Sequence, residues 1–120
     1  MATPIGGRMP SCDVGDVVRL PFPYTDRSTF QHRPGLVVAT FPDAGRHGLA
    51  WVLMITSARN EPWSGDVDVG PAYRSAGLPA PSVVRTRKIT TVDLRDATRL
   101  GRVPGEVWSE VRRHVADAFG

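Results

Sequence analysis

Three short segments hold the side chains with chemical potential. Gln31-His32-Arg33-Pro34 closes a turn-rich stretch just before an apolar run, Thr56-Ser57 follows the most apolar run of the chain, and Arg59-Asn60 come directly after. All three fall at strand ends bordering loops, where sites tend to be built on a rigid scaffold. An arginine, two hydroxyls and an imidazole can hold a phosphodiester, and one of them can act on a ribose 2′-hydroxyl. A fixed guanidinium offsets the negative charge that phosphate gains in the transition state. The alternative is structural, with Thr56 and Ser57 forming a turn and Arg33 a solvated strand-end charge.

Other chemistries lack their residues. The chain has no phosphate-binding Gly-x-x-x-x-Gly-Lys-Ser/Thr, no dinucleotide fingerprint after a strand and no Gly-x-Ser-x-Gly elbow. His32, His47 and His114 have no ligand-spaced partners, so no metal site or cofactor is expected. The single cysteine, Cys12, lies in a Gly- and Pro-rich leader, a poor place to hold a nucleophile, and it cannot form an internal disulfide.

The elements that must position these groups are short strands. Asp16–Leu20 reads as a first strand; Pro21–Pro34 reads as a long loop, with Phe22–Gln31 expected to be mobile. Gly35–Thr40 and Leu49–Ile55 are near-continuous apolar runs, expected to pair antiparallel, and Asp66–Val69 alternates as a half-exposed strand does. Ser82–Thr86 and Ile89–Val92 are β-branched runs separated by Arg87 and Lys88, forming either one bent strand or two. Val107, Val111 and Val115, joined by Trp108 and Phe119, recur at helical spacing behind Pro104, which predicts an amphipathic helix over residues 104–118. Many strands followed by one covering helix imply a small, strongly curved sheet or partly open barrel. Trp51, in mid-strand, is expected in the core, and Trp108 in packing or a dimer contact. Trp63 and Tyr73 are read first as packing residues, with base stacking as the alternative, whereas Phe30 in the loop is the better exposed aromatic.

Size and charge set the frame. The 120 residues make one domain, with residues 1–12 expected as a flexible leader and 13–120 as the folded unit. The longest apolar run is seven residues, against about 20 needed to span a bilayer, and no apolar stretch near the start suggests a signal peptide. A cytoplasmic protein without membrane contact is the default expectation. Fourteen of the fifteen basic residues are arginine and the formal net charge is +3. That charge permits RNA binding without demonstrating it, since GC-rich coding also favours arginine over lysine.

Read in order, these segments resemble the MazF/PemK family of toxin ribonucleases. The matching stretches are Gly15-Asp16-Val17-Val18 leading to Pro21-Phe22-Pro23-Tyr24-Thr25-Asp26, His32-Arg33-Pro34 before the Gly35–Ala39 strand, and Ile55-Thr56-Ser57. Gly65-Asp66-Val67, Ala76-Gly77-Leu78-Pro79 into Pro81-Ser82-Val83-Val84-Arg85, Thr91-Val92-Asp93 and Leu100-Gly101-Arg102-Val103-Pro104 continue it to the terminal helix. The resemblance implies a mainly-β fold, an SH3-like small barrel with a C-terminal helix, usually a homodimer. It also implies metal-independent cleavage of single-stranded RNA through the 2′-hydroxyl, and neutralisation by a cognate antitoxin protein. Position by position it makes Arg33 an acid or phosphate stabiliser, Thr56 and Ser57 the groups that place the scissile phosphate, and Arg85 a second acid or phosphate ligand. Phe30, Gln31, His32, Arg59 and Arg87 are then the expected RNA-binding residues. Two positions depart from the pattern: Ser28 and Arg87 stand where many or some members carry a carboxylate; Asp26 and His32 are nearby alternatives without positional support, so the general base is unassigned. A non-catalytic SH3-like binding module is the reading of a different class.

Overall fold

A computed structural model describes residues 12–23 and 30–120, and gives only the backbone of Pro23, Phe30 and Gln31. Among the described residues six strands form one antiparallel sheet in the order β4-β5-β3-β2-β1-β6. They are β1 (Asp16–Pro23), β2 (Phe30–Phe41), β3 (Leu49–Ser57), β4 (Asp66–Asp68), β5 (Ser82–Asp93) and β6 (Thr98–Arg102), followed by the helix α1 (Gly105–Ala118). The mainly-β fold with a C-terminal helix is therefore the observed one.

The central strands are buried on both faces, which explains their lack of strict alternation. Val17, Leu36, Leu53, Ile55 and Val84 join a cluster covered by Val107 and Val111 of α1. Their neighbours Val18, Val37 and Val52 point the other way, into a second cluster with Leu20, Phe22 and Ala97. β5 runs unbroken through the two β-branched segments. Met54 pairs with Arg85 and Leu53 with Ile89, which leaves Thr86, Arg87 and Lys88 as a wide bulge between them.

Four expectations need correction. The Pro21–Pro34 loop is much shorter, because β1 continues to Pro23 and β2 begins at Phe30. Its prolines are tolerated because Arg19–Pro34, Pro21–His32 and Pro23–Phe30 are pairs of one parity. The intervening Leu20–Arg33 and Phe22–Gln31 pairs are left to hold the two strands together. Phe22, expected to be mobile, is buried in the second cluster; residues 24–29, the rest of that expected loop, lie outside the described residues. β6 was not expected at all. Trp51 is 38% exposed and Phe119 77% exposed, since α1 packs chiefly over β4 and β5 and the sheet face extends beyond it.

The leader up to residue 11 lies outside the described residues. Cys12 packs against the second cluster, and burial, then the charges of Asp16 and Asp13, push its thiol above the usual range. That makes it a weaker nucleophile still. Asp16, 2% exposed, ties the chain start to β6: it accepts from the Asp13 amide and pairs with Arg102 at 2.8 Å and Arg99 at 3.2 Å.

Candidate active site

Register decides which of the candidate side chains meet. Directly opposed residues in an antiparallel ladder share a face. Leu20 opposes Arg33, Gly35 opposes Met54, and Met54 opposes Arg85. Arg33, Met54, Thr56 and Arg85 therefore project from the face that holds the second cluster, at the end of the sheet where β2 ceases to pair with β3. Gly35 allows this close approach. A Cβ there would lie 2.3 Å from Val52 Cγ1 and 3.0 Å from the Leu53 carbonyl, so the residue joining Arg33 to the core strand must be small.

These four side chains line an open cleft of about 300 Å³ together with Asn60, Glu61, Trp63 and Lys88. The turn after β3 supplies most of the second set. The Ser57 carbonyl accepts from the Asn60 amide and the Ser57 hydroxyl from the Arg59 amide, closing a tight turn. Asn60 then folds back and donates its Nδ2 to the Thr56 hydroxyl. Further on, the Trp63 amide donates to Asp66 Oδ2, which fixes the segment against β4.

Arg85 is the unusual member. It is 5% exposed, yet no carboxylate lies within ion-pair distance among the described residues. Its guanidinium stacks 4.2 Å from the centre of the Trp63 ring, and one terminal nitrogen donates to the Glu61 carbonyl at 2.8 Å. The Lys88 ammonium stands 5.9 Å from the same ring. The other terminal nitrogen of Arg85 is buried with no partner among the described residues. Asp66 opposes Arg85 in the ladder, but one of its oxygens is used by Trp63 and the other has no partner. A π face and a carbonyl thus hold Arg85 in place without neutralising it. A buried donor left unmade is costly unless something outside the chain satisfies it. The chemistry that fits is an anion.

The structure separates the other expected residues. Thr56 faces the cleft and Ser57 does not, because the pleat sends neighbours to opposite faces. Arg87 leaves the bulge toward the helix and donates to the His114 carbonyl at 3.1 Å. Arg59 is exposed on the turn and His32 exposed on β2, both outside the cleft lining. The side chains of Phe30 and Gln31 and the whole of Ser28 lie outside the described residues. Trp63, read first as a packing residue, is 46% exposed and lines the cleft, whereas Tyr73 packs against the first cluster. Sequence reasoning missed Glu61 and Lys88 as site residues; Lys88, the sole lysine, sits on the bulge that the split β-branched run announces. Among the described residues, no three His, Cys, Asp or Glu side chains converge as a metal site would require, and no helix is long and apolar enough to cross a membrane.

Fold and cleft define a class: a small antiparallel sheet with one C-terminal helix and a cationic cleft at the end of its central strands. The family model of PemK-like, MazF-like toxins of type II toxin–antitoxin systems matches residues 13–119, and the chain belongs to that family. Solved structures agree. A MazF from Deinococcus radiodurans is 28% identical with a TM-score of 0.69, over 91% of this chain and 96% of that one. A MazE–MazF complex from the same organism is 27% identical with a TM-score of 0.67, over 91% and 95% of the two chains. An endoribonuclease in complex with its cognate antitoxin, from a mycobacterial species, shares the fold at 20% identity and a TM-score of 0.69, over 92% and 96%. Comparison with curated protein sequences gives no significant match.

Proposed function

We propose that this toxin is a metal-independent endoribonuclease that cleaves single-stranded RNA by attack of the ribose 2′-hydroxyl on the adjacent phosphate. The observation that supports it most is the buried guanidinium of Arg85, without a carboxylate in ion-pair contact among the described residues and placed in one cleft with Arg33, Lys88 and Thr56. Phosphate satisfies such donors, and arginine forks match its oxygens. The reaction requires the scissile phosphate to gain charge in passing to a five-coordinate state, which Arg33 and Arg85 offset from fixed positions. Thr56, oriented by Asn60, holds a phosphate oxygen. Ser57 acts indirectly, by shaping the turn that carries Asn60. The cleft is open, as an unpaired strand with splayed bases needs.

The products distinguish this chemistry from hydrolysis by water. Incubation with mixed-sequence single-stranded RNA in EDTA is expected to yield fragments ending in 2′,3′-cyclic phosphate and starting with 5′-hydroxyl. A strand with deoxyribose at the scissile position is expected to stay intact. Failure to cut any RNA sequence sinks the proposal and leaves a non-catalytic binding module.

The family context and the MazE–MazF likeness support a cognate antitoxin as partner and the cytoplasm as the place of action. Homodimerisation is supported by exposed apolar surface: Trp51, Ile89 and Phe119 line a shallow hollow of about 430 Å³ that the described residues leave uncovered. Sedimentation at micromolar concentration is expected to report about twice 13.1 kDa. A strict monomer at high concentration refutes the dimer.

A further inference from the structure

The cleavage proposed above needs a group to take the 2′-hydroxyl proton, and Glu61 is the one acidic residue among the described residues that line the cleft. Its main chain is held on both sides of the side chain. Asn60 is bonded to Thr56, the Glu61 carbonyl accepts from Arg85, Pro62 follows, and Trp63 is stacked on Arg85 and bonded to Asp66. The carboxylate itself has no hydrogen bond or ion pair among the described residues. Arg33, Arg85 and Lys88 line the same cleft, and none of them takes the Glu61 side chain as a counter-ion. The charged residues that share the cleft lining with Glu61 are Arg33 from β2 and Arg85 and Lys88 from β5, and Asp66 of β4 lies across the ladder from Arg85.

We infer that Glu61 is the general base of the reaction, resting on the nuclease reading above. Glu61 takes the proton from the 2′-hydroxyl, and O2′ forms a bond to phosphorus. The P–O5′ bond breaks with its electron pair going to O5′, which takes a proton from the Arg33 guanidinium. Glu61 then releases its proton to solvent and Arg33 regains one, so the site is restored with no other reactant. The placement is consistent with the sequence: the resemblance leaves Ser28 and Arg87 where it implies a carboxylate, and the turn after β3 carries an acidic residue, Glu61.

The test is Glu61→Gln, which keeps the side chain's shape and lies on an exposed turn, measured by single-turnover cleavage of an RNA containing a site that the wild type cuts. Loss of a general base is expected to slow the reaction on the order of 10²- to 10³-fold near neutral pH. The gap is expected to narrow toward alkaline pH, where hydroxide replaces the missing base. An RNA with sulfur in place of the bridging 5′ oxygen needs no proton on its leaving group. It is expected to leave the Glu61→Gln defect intact while relieving much of the defect of Arg33→Ala. Affinity for an uncleavable 2′-deoxy strand is expected not to fall, since the change removes a negative charge from a phosphate-binding cleft, and the melting temperature is expected to stay within error of wild type. A wild type that cuts RNA beside a Glu61→Gln protein within threefold of it overturns the base assignment alone. So does a Glu61→Gln defect confined to affinity, or one that the sulfur substrate removes. A wild type that cuts no RNA overturns the nuclease reading and this assignment with it.

Discussion

Arg33→Ala is expected to cleave single-stranded RNA on the order of 10²- to 10³-fold more slowly than wild type, with the fold intact, because it removes both the proton source for the leaving O5′ and a fixed positive charge at the reacting phosphate. The geometry explains why so large an effect can come without collapse. Arg33 opposes Leu20 in the β1–β2 ladder and is only partly buried, and the chain direction around it is set by Pro34 and by the tight fit of Gly35 against Val52. Backbone and core therefore keep their places when the guanidinium goes. Arg33→Lys is expected to recover only part of the rate, since an ammonium keeps the charge but loses the two-pronged fork. Thr56→Ala is expected to lose less than Arg33→Ala, because a neutral hydroxyl contributes a weaker bond than a charge-assisted one. Circular dichroism and the melting temperature check the fold, and gel-resolved time courses check the rates. An Arg33→Ala protein that cuts as fast as wild type refutes the assignment.

That Arg33, Thr56 and Arg85 share a cleft depends on three strands meeting in one register, which a linear sequence conceals. What the sequence does reveal is the stiffness of the frame. Gly35–Thr40 and Leu49–Ile55 are apolar on both sides because both faces of the central sheet are covered, and Val107, Val111 and Val115 mark the inner side of α1. The same feature hides orientation. With no polar residue in the run around Trp51, nothing shows that the first-cluster face continues past the helix, so its exposure is visible only in three dimensions. The prolines at 21, 23 and 34 look like breakers until their shared parity is known. β6 is illegible for the opposite reason: Thr98–Arg102 is an exposed edge whose Gly101 is present because Ala76 lies where its Cβ would be. In the site, adjacency misleads. Thr56 and Ser57 are neighbours in sequence and face opposite ways, and Arg85 and Arg87 are two apart but separated by a bulge that turns one to the cleft and the other to the helix. Glu61 and Lys88 carry no signal of their own and are recruited by a turn and by that bulge.

Arg85→Met is expected to lose cleavage by 10²-fold or more, as a second donor to the phosphate is removed, while the protein melts no lower than wild type. The two halves of this result have one cause. Arg85 is nearly inaccessible, stacked on Trp63 and bonded to the Glu61 carbonyl, with its other terminal nitrogen unsatisfied and no carboxylate in ion-pair contact among the described residues. Burying a cation without a counter-charge destabilises a fold, and apolar replacements of similar volume at such places are often neutral or stabilising. Methionine fills the space against the indole ring and brings no charge. The bond to the Glu61 carbonyl is lost, but that carbonyl sits on an exposed turn where water replaces the donor. With that result, the wild type retains an arginine that its own stability does not need, and the proposed phosphate in the cleft makes up the deficit. Binding of an uncleavable RNA is accordingly expected to raise the melting temperature of wild type more than that of Arg85→Met, by mass action on the folded state. A variant that unfolds many degrees below wild type shows that the guanidinium is structural. One that cuts RNA normally shows that the phosphate lies elsewhere.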